Sequence, residues 1–127
     1  MSAKTILILG ALLSGLGVMI GAFGAHGLRD LLAATNRTDT FETAVKYQMY
    51  HAIGLVLVGI LMTQFPAAAG MKLSGLCFLI GILIFSGSLY VLCLTGITWL
   101  GAITPIGGLF LIAGWLNLVW VLARHLP

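Results

Sequence analysis

A chain of 127 residues that is 61% apolar and only 7% charged does not have the make-up of a water-soluble domain, because so few charges cannot cover so much hydrocarbon. The length suits a single domain covering 1–127. Net charge +3 is spread over six basic residues that form no run or stripe, which argues against nucleic acid as a partner and leaves the bilayer as the solvent.

The first span is expected from about Lys4 to Ala25. Its apolar run from Ile6 to Ala25 exceeds the roughly 7–15 residues of a signal-peptide core and approaches the ~20 needed to cross a bilayer, so it reads as a membrane helix and not as a cleaved signal. Gly10, Ser14, Gly17, Gly21 and Gly24 recur at steps of four, three, four and three. That spacing lines small residues along one helix face, where a second backbone can come close. After His26-Gly27 the pattern changes. Leu28, Leu31 and Leu32 fall on one side and Arg29 and Asp30 on the other, as in a short amphipathic helix lying in the interface plane. Asn36 to Asp39 is a turn, and Asp39 followed by Glu42 has the spacing of a capping box that would start the next helix.

The second span runs to about Gln64, with Pro66 marking its end. It is longer than a membrane needs, so its first two turns are expected among the headgroups. Its opening stretch, Phe41-Glu-Thr-Ala-Val-Lys-Tyr-Gln-Met-Tyr-His51, holds most of the chain's chemistry. Glu42 and Lys46 make an i,i+4 pair in the favourable order. Thr43, Tyr47, His51 and Gly54 share a face, with Gln48 beside it.

The third span is predicted over about Lys72 to Thr95. Ser74, Gly81, Ser88 and Thr95 repeat every seven residues, a second small-residue seam, and Phe85-Ser-Gly-Ser-Leu-Tyr90 is its most polar part. Cys77 and Cys93 lie more than about twenty Å apart along this helix at ~1.5 Å per residue, so they cannot pair with each other and read as small packers. Gly96 ends the helix, and Ile97 to Leu100 forms a tight hairpin. The fourth span starts at Ala102 or Thr104 and reaches Arg124. Pro105 sits in its first turn, where a missing N–H costs nothing. Gly107, Gly108 and Gly114 permit close packing, and Trp115 and Trp120 are expected toward the far interface, where indoles prefer to sit.

Four spans with short connections make an all-α membrane protein, a four-transmembrane-helix antiparallel bundle with a short interfacial helix between the first and second spans. Lys4, Lys72 and Arg124 share the side of the termini; Arg29, Arg37 and Lys46 share the other, where Asp30, Asp39 and Glu42 offset them. The unpaired set tips the expected orientation toward cytoplasmic termini.

Span direction also brings scattered polar residues to one leaflet. His26, Tyr47, Gln48, His51, Ser86, Ser88 and Tyr90 are the candidate ligand-binding residues, and Gly10, Ser14, Gly17, Gly21, Gly24 and Gly81 the candidate packing residues. A polar cluster at that depth would turn inward and hold a lipid headgroup or small polar ligand. The competing role is structural, each interhelical hydrogen bond contributing ~0.6 kcal/mol. No catalytic residue is assigned: neither Ser86 nor Ser88 has an acid beside it in sequence, and His51 has no evident role as a base. Transport would want a charge at mid-span and broken helices. Two imidazoles in one leaflet, His26 and His51, are what a haem would need on its two faces, but there is no CxxCH, and only Glu42 offers a further ligand. The expectation is therefore no enzyme, no metal and no cofactor.

Gly21-Ala-Phe-Gly-Ala-His26, the segment Phe41 to His51, Phe85-Ser-Gly-Ser-Leu-Tyr90 and Ile103-Thr-Pro-Ile-Gly-Gly108 with Gly114-Trp115 together resemble the domain of unknown function 423 family, also called transmembrane protein 256-like. The resemblance covers nearly the whole chain. It implies a small four-helix protein of the bacterial inner membrane, with relatives in animals, and brings no activity, substrate or cofactor with it. The partners expected are membrane lipid and, as the alternative role, a second copy or a larger membrane complex into which the glycine faces would pack.

Overall fold

The computed structural model describes residues 1–125. It is helical, with no strand among the described residues. Helix α1 covers Ala3–Ala25, α2 Arg29–Ala34, α3 Thr38–Gln64, α4 Met71–Thr95 and α5 Thr104–His125, with a 3-10 helix at Thr98–Ala102 ahead of α5. The four long helices, α1, α3, α4 and α5, are each apolar and long enough to cross a membrane.

Local chemistry sets where the helices stop. Ser2 caps α1 by accepting the Thr5 N–H at 3.1 Å, satisfying one of the free donors of the first turn. α3 gives out at Gln64, just before Pro66, whose ring disfavours helix in the residue preceding it. Gly70 and Gly96 bracket α4 with φ of 104° and 75°, a left-handed backbone that costs a residue without Cβ little. The expected capping box does not form. α3 begins at Thr38, Arg37 holds the cap position without a side-chain bond, and Asp39 lies inside the first turn. There its charge faces the positive end of the helix dipole.

α1 lies along α3, α3 along α4 and α4 along α5. The contacts show the direction of each pair. On α1, Gly10 meets Val56, Gly17 meets Gln48 and Met49, Gly21 meets Val45 and Gly24 meets Phe41. Each advance along α1 is matched by a retreat of about the same length along α3, so the pair is antiparallel. The same holds for Ser74 against Asn117, Gly81 against Leu111 and Ser88 against Thr104 between α4 and α5. The outermost helix buries almost nothing but its glycines: Ile6, Gly10, Gly17 and Gly24.

The main core is built of Ile6, Leu55, Val58, Phe78, Ile82 and Leu111 with their neighbours. A smaller core of Leu32, Phe41 and Cys93 tucks α2 against the ends of α3 and α4. Large apolar side chains ring the outside, among them Val18, Met19, Leu83, Leu109, Leu116 and Val119, each more than half exposed. A continuous apolar exterior is a liability in water and the required surface in lipid. Trp115 departs from the expected interfacial position. It sits midway along α5 with its ring 4.7 Å from Phe78 and 6.1 Å from His51, while Trp120 stacks under the Arg124 guanidinium at 4.1 Å near the end of the helix.

Candidate functional site

The polar residues sort into a hydrogen-bonded layer, an aromatic cluster and a groove. Gln48 is the hub of the layer. It points from α3 toward the α1 seam, where Gly17 leaves room for its amide. Its Nε2 donates to the Leu13 carbonyl at 2.8 Å, and its Oε1 accepts from the Tyr90 hydroxyl at 2.7 Å. One amide so joins α1, α3 and α4. Ser86 donates to the Ala44 carbonyl at 2.7 Å, a second tie between α3 and α4. Ser88 and Thr104 stand hydroxyl to hydroxyl at 2.7 Å, with the Phe85 and Leu100 carbonyls in reach as acceptors. One hydroxyl donates to the other and the second to the Phe85 or Leu100 carbonyl, joining α4 to α5.

His51 faces away from this layer. Its Nδ1 lies 2.7 Å from the Tyr47 carbonyl, which can only accept, so the proton is on Nδ1. The ring stacks beside Tyr47 and packs against Phe78 and Trp115, and Tyr47 in turn stacks on Phe85 at 4.5 Å. These rings line the junction of α3, α4 and α5, with Tyr47 and Trp115 each 40% exposed. His26, the C-cap of α1, is exposed. The seven candidates therefore do not form one pocket. Gln48, Tyr90, Ser86 and Ser88 serve the layer, Tyr47 and His51 belong to the aromatic cluster, and His26 joins neither.

The layer is closed. Among the described residues no buried side-chain nitrogen or oxygen lacks a partner, and no three metal-ligating side chains converge. Five of the six packing candidates lie on helix contacts, Gly10, Gly17, Gly21 and Gly24 against α3 and Gly81 against α5, whereas Ser14 is bonded back to the Gly10 carbonyl of its own helix at 2.8 Å. At the other end of the bundle Asn117 donates to the Gly70 carbonyl and to Ser74 at 2.9 and 2.8 Å. Sequence reading passed over this tie, though an amide inside an apolar helix was its signal.

Open space lies elsewhere, in a groove of about 480 Å³ where α1 ends, α2 crosses and α3 begins. Gly21 and Gly24 form its α1 wall, Leu32 comes from α2, and Phe41 and Val45 from α3. Arg29, Glu42 and Lys46 also line it, with Lys46 Nζ 3.9 Å from Glu42 Oε2 and both side chains more than half exposed. Arg37 is engaged outside the groove, donating to the Leu92 carbonyl at 3.3 Å and so offsetting the negative end of α4.

Residues 20–108 match the family described as protein of unknown function DUF423. That stretch holds the groove and the whole polar layer apart from the Leu13 carbonyl. A UPF0382 membrane protein of Staphylococcus haemolyticus is 47% identical over 116 residues, 91% of this chain and 93% of that one. One from Bacillus subtilis is 41% identical over 123 residues, 97% and 99% of the two chains. No solved structure matches. With a family match running from the last turns of α1 into α5, and bacterial membrane proteins similar along nearly their full lengths, the chain belongs to the DUF423 family.

Proposed function

We propose that this protein binds a membrane lipid by its headgroup, without chemistry on it, in the groove between α1, α2 and α3, and that the polar layer serves to hold the four spans together. One observation carries the reading: the only charged residues lining the groove, Arg29, Glu42 and Lys46, stand beside apolar walls, a combination suited to an amphiphile. The volume falls in the range of roughly 300–1,000 Å³ usual for ligand sites. In the polar layer each buried side-chain nitrogen and oxygen among the described residues already has a protein partner, so the layer is better suited to tying helices than to taking a ligand. The α1 glycines and, on α4, Ser74, Gly81 and Ser88 are turned onto neighbouring helices, which supports a self-contained bundle over one completed by a partner.

The same reading puts the protein in the bacterial cytoplasmic membrane with both termini inside. The relatives are bacterial membrane proteins. Lys4, Lys72 and Arg124 stand on the side of the termini without an acid, whereas Lys46 is paired and Arg37 engaged on the other side. Native mass spectrometry of the gently extracted full-length chain tests the lipid. A one-to-one phospholipid adduct is expected, and the double charge reversal Arg29→Glu with Lys46→Glu should lose it. A bare chain under conditions that retain lipid on a control membrane protein would overturn the reading.

A further inference from the structure

The groove's charges come in a particular order. Arg29 and Lys46 are cationic, and Glu42, 3.9 Å from Lys46, is the one acid among the lining residues. A simple anion in this place would be drawn to the two cations and repelled by the carboxylate. A headgroup carrying a phosphate and a protonated amine meets no such conflict. The phosphate sits by Arg29 and Lys46 and the ammonium by Glu42; phosphate, ammonium, Glu42 and Lys46 then alternate in sign around a ring, and Arg29 adds a second cation on the phosphate. Arg29 can meet a phosphate with two parallel N–H donors.

We infer that the groove selects a phospholipid whose headgroup bears a primary ammonium next to its phosphate, with Glu42 as the residue that reads the amine. The ammonium is needed for its N–H donors as well as its charge. A trimethylated amine keeps the charge but cannot donate to the carboxylate and holds it farther off. Interleaved with the charged residues, Leu32, Phe41 and Val45 supply the apolar wall against which the acyl chain starts. Glu42 and Lys46 are both more than half exposed, so their mutual pair is loose and the carboxylate is free to turn toward a second cation.

This inference rests on the lipid-binding reading, and the test separates the two. The full-length chain is stripped of lipid and offered an equimolar mixture of phosphatidylethanolamine, phosphatidylcholine and phosphatidylglycerol with identical acyl chains, and bound species are counted by native mass spectrometry. The ethanolamine lipid should exceed each of the others about two- to fivefold, the span expected of one exposed ion pair. Glu42→Gln should bring the ethanolamine and choline lipids level while an adduct persists. This exposed change leaves the core untouched, so a folded variant is expected, checked by unchanged thermal unfolding. Preference for the glycerol lipid, equal binding of all three, or a preference that survives Glu42→Gln overturns the amine selection and leaves lipid binding standing. No adduct of any kind removes both.

Discussion

Gln48 spends both ends of its amide on other helices, the nitrogen on Leu13 and the oxygen on Tyr90. Replacing it with Leu keeps the volume and deletes both bonds, leaving the Tyr90 hydroxyl without its partner. A loss of about 1–2 kcal/mol is expected, the upper part of the range for interhelical bonds in membranes. Tyr90→Phe should cost less. The double variant should cost less than the sum of the two, because the hydroxyl that Gln48→Leu orphans is no longer there. Thermal unfolding of the four proteins in one detergent measures the cycle, and additive losses would mean that the bond contributes nothing. The histidines are set apart, His26 exposed at the end of α1 and His51 packed among rings in mid-α3. The purified protein should therefore be colourless, with no Soret band for either histidine to abolish.

At the scale of the element, α1 is held by what its glycines lack. A Cβ on Gly10 would stand 2.8 Å from a Val56 methyl and 2.9 Å from the Ala52 carbonyl, whereas one on Gly17 would meet the flexible end of Met49 at 3.3 Å. Backbone cannot step aside as a methionine can. Gly10→Ala should accordingly lower stability more than Gly17→Ala, and Gly17→Leu or Gly21→Leu should weaken the fold clearly. Gly15 has nothing within 4 Å and Ala11 is exposed, so Leu at either place should be tolerated. At Gly15 it would even relieve the ~1 kcal/mol helix penalty of glycine. Equal melting temperatures across this set would remove the case for the seam.

At the scale of the whole molecule, the charges at the two ends bear on which way the bundle crosses. One end gathers Lys4, Lys72 and Arg124 with no acid; the other balances Arg29, Arg37 and Lys46 with Asp30, Asp39 and Glu42. In a background with Cys77 and Cys93 replaced by alanine, single cysteines at Asn36 and Gly96 should react with a membrane-impermeant reagent outside intact cells, and one at Lys72 should not. Labelling at Lys72 alone would turn the molecule over. It would also move the groove to the inner leaflet, since α2 lies at the end away from the termini.

The number, extent and alternation of the spans were legible in the sequence because they depend on local properties. Hydrocarbon length makes a span, and Pro66, Gly70 and Gly96 stop or turn the chain where they stand. The glycine steps of α1 and the seven-residue repeat of α4 likewise announce which face meets a neighbour, since helical period alone assigns the face. Depth was legible too, and this is why His26, Tyr47, Gln48, His51, Ser86, Ser88 and Tyr90 read as one cluster. Direction around the helix axis toward a particular neighbour was not. Tyr47 and Gln48 are adjacent in sequence but ~100° apart on the helix, which sends one toward Phe85 on α4 and the other toward α1. The groove was beyond sequence reading for a further reason: its walls come from three helices, and the space between them exists only once α2 has folded across the glycine face of α1 and the first turns of α3.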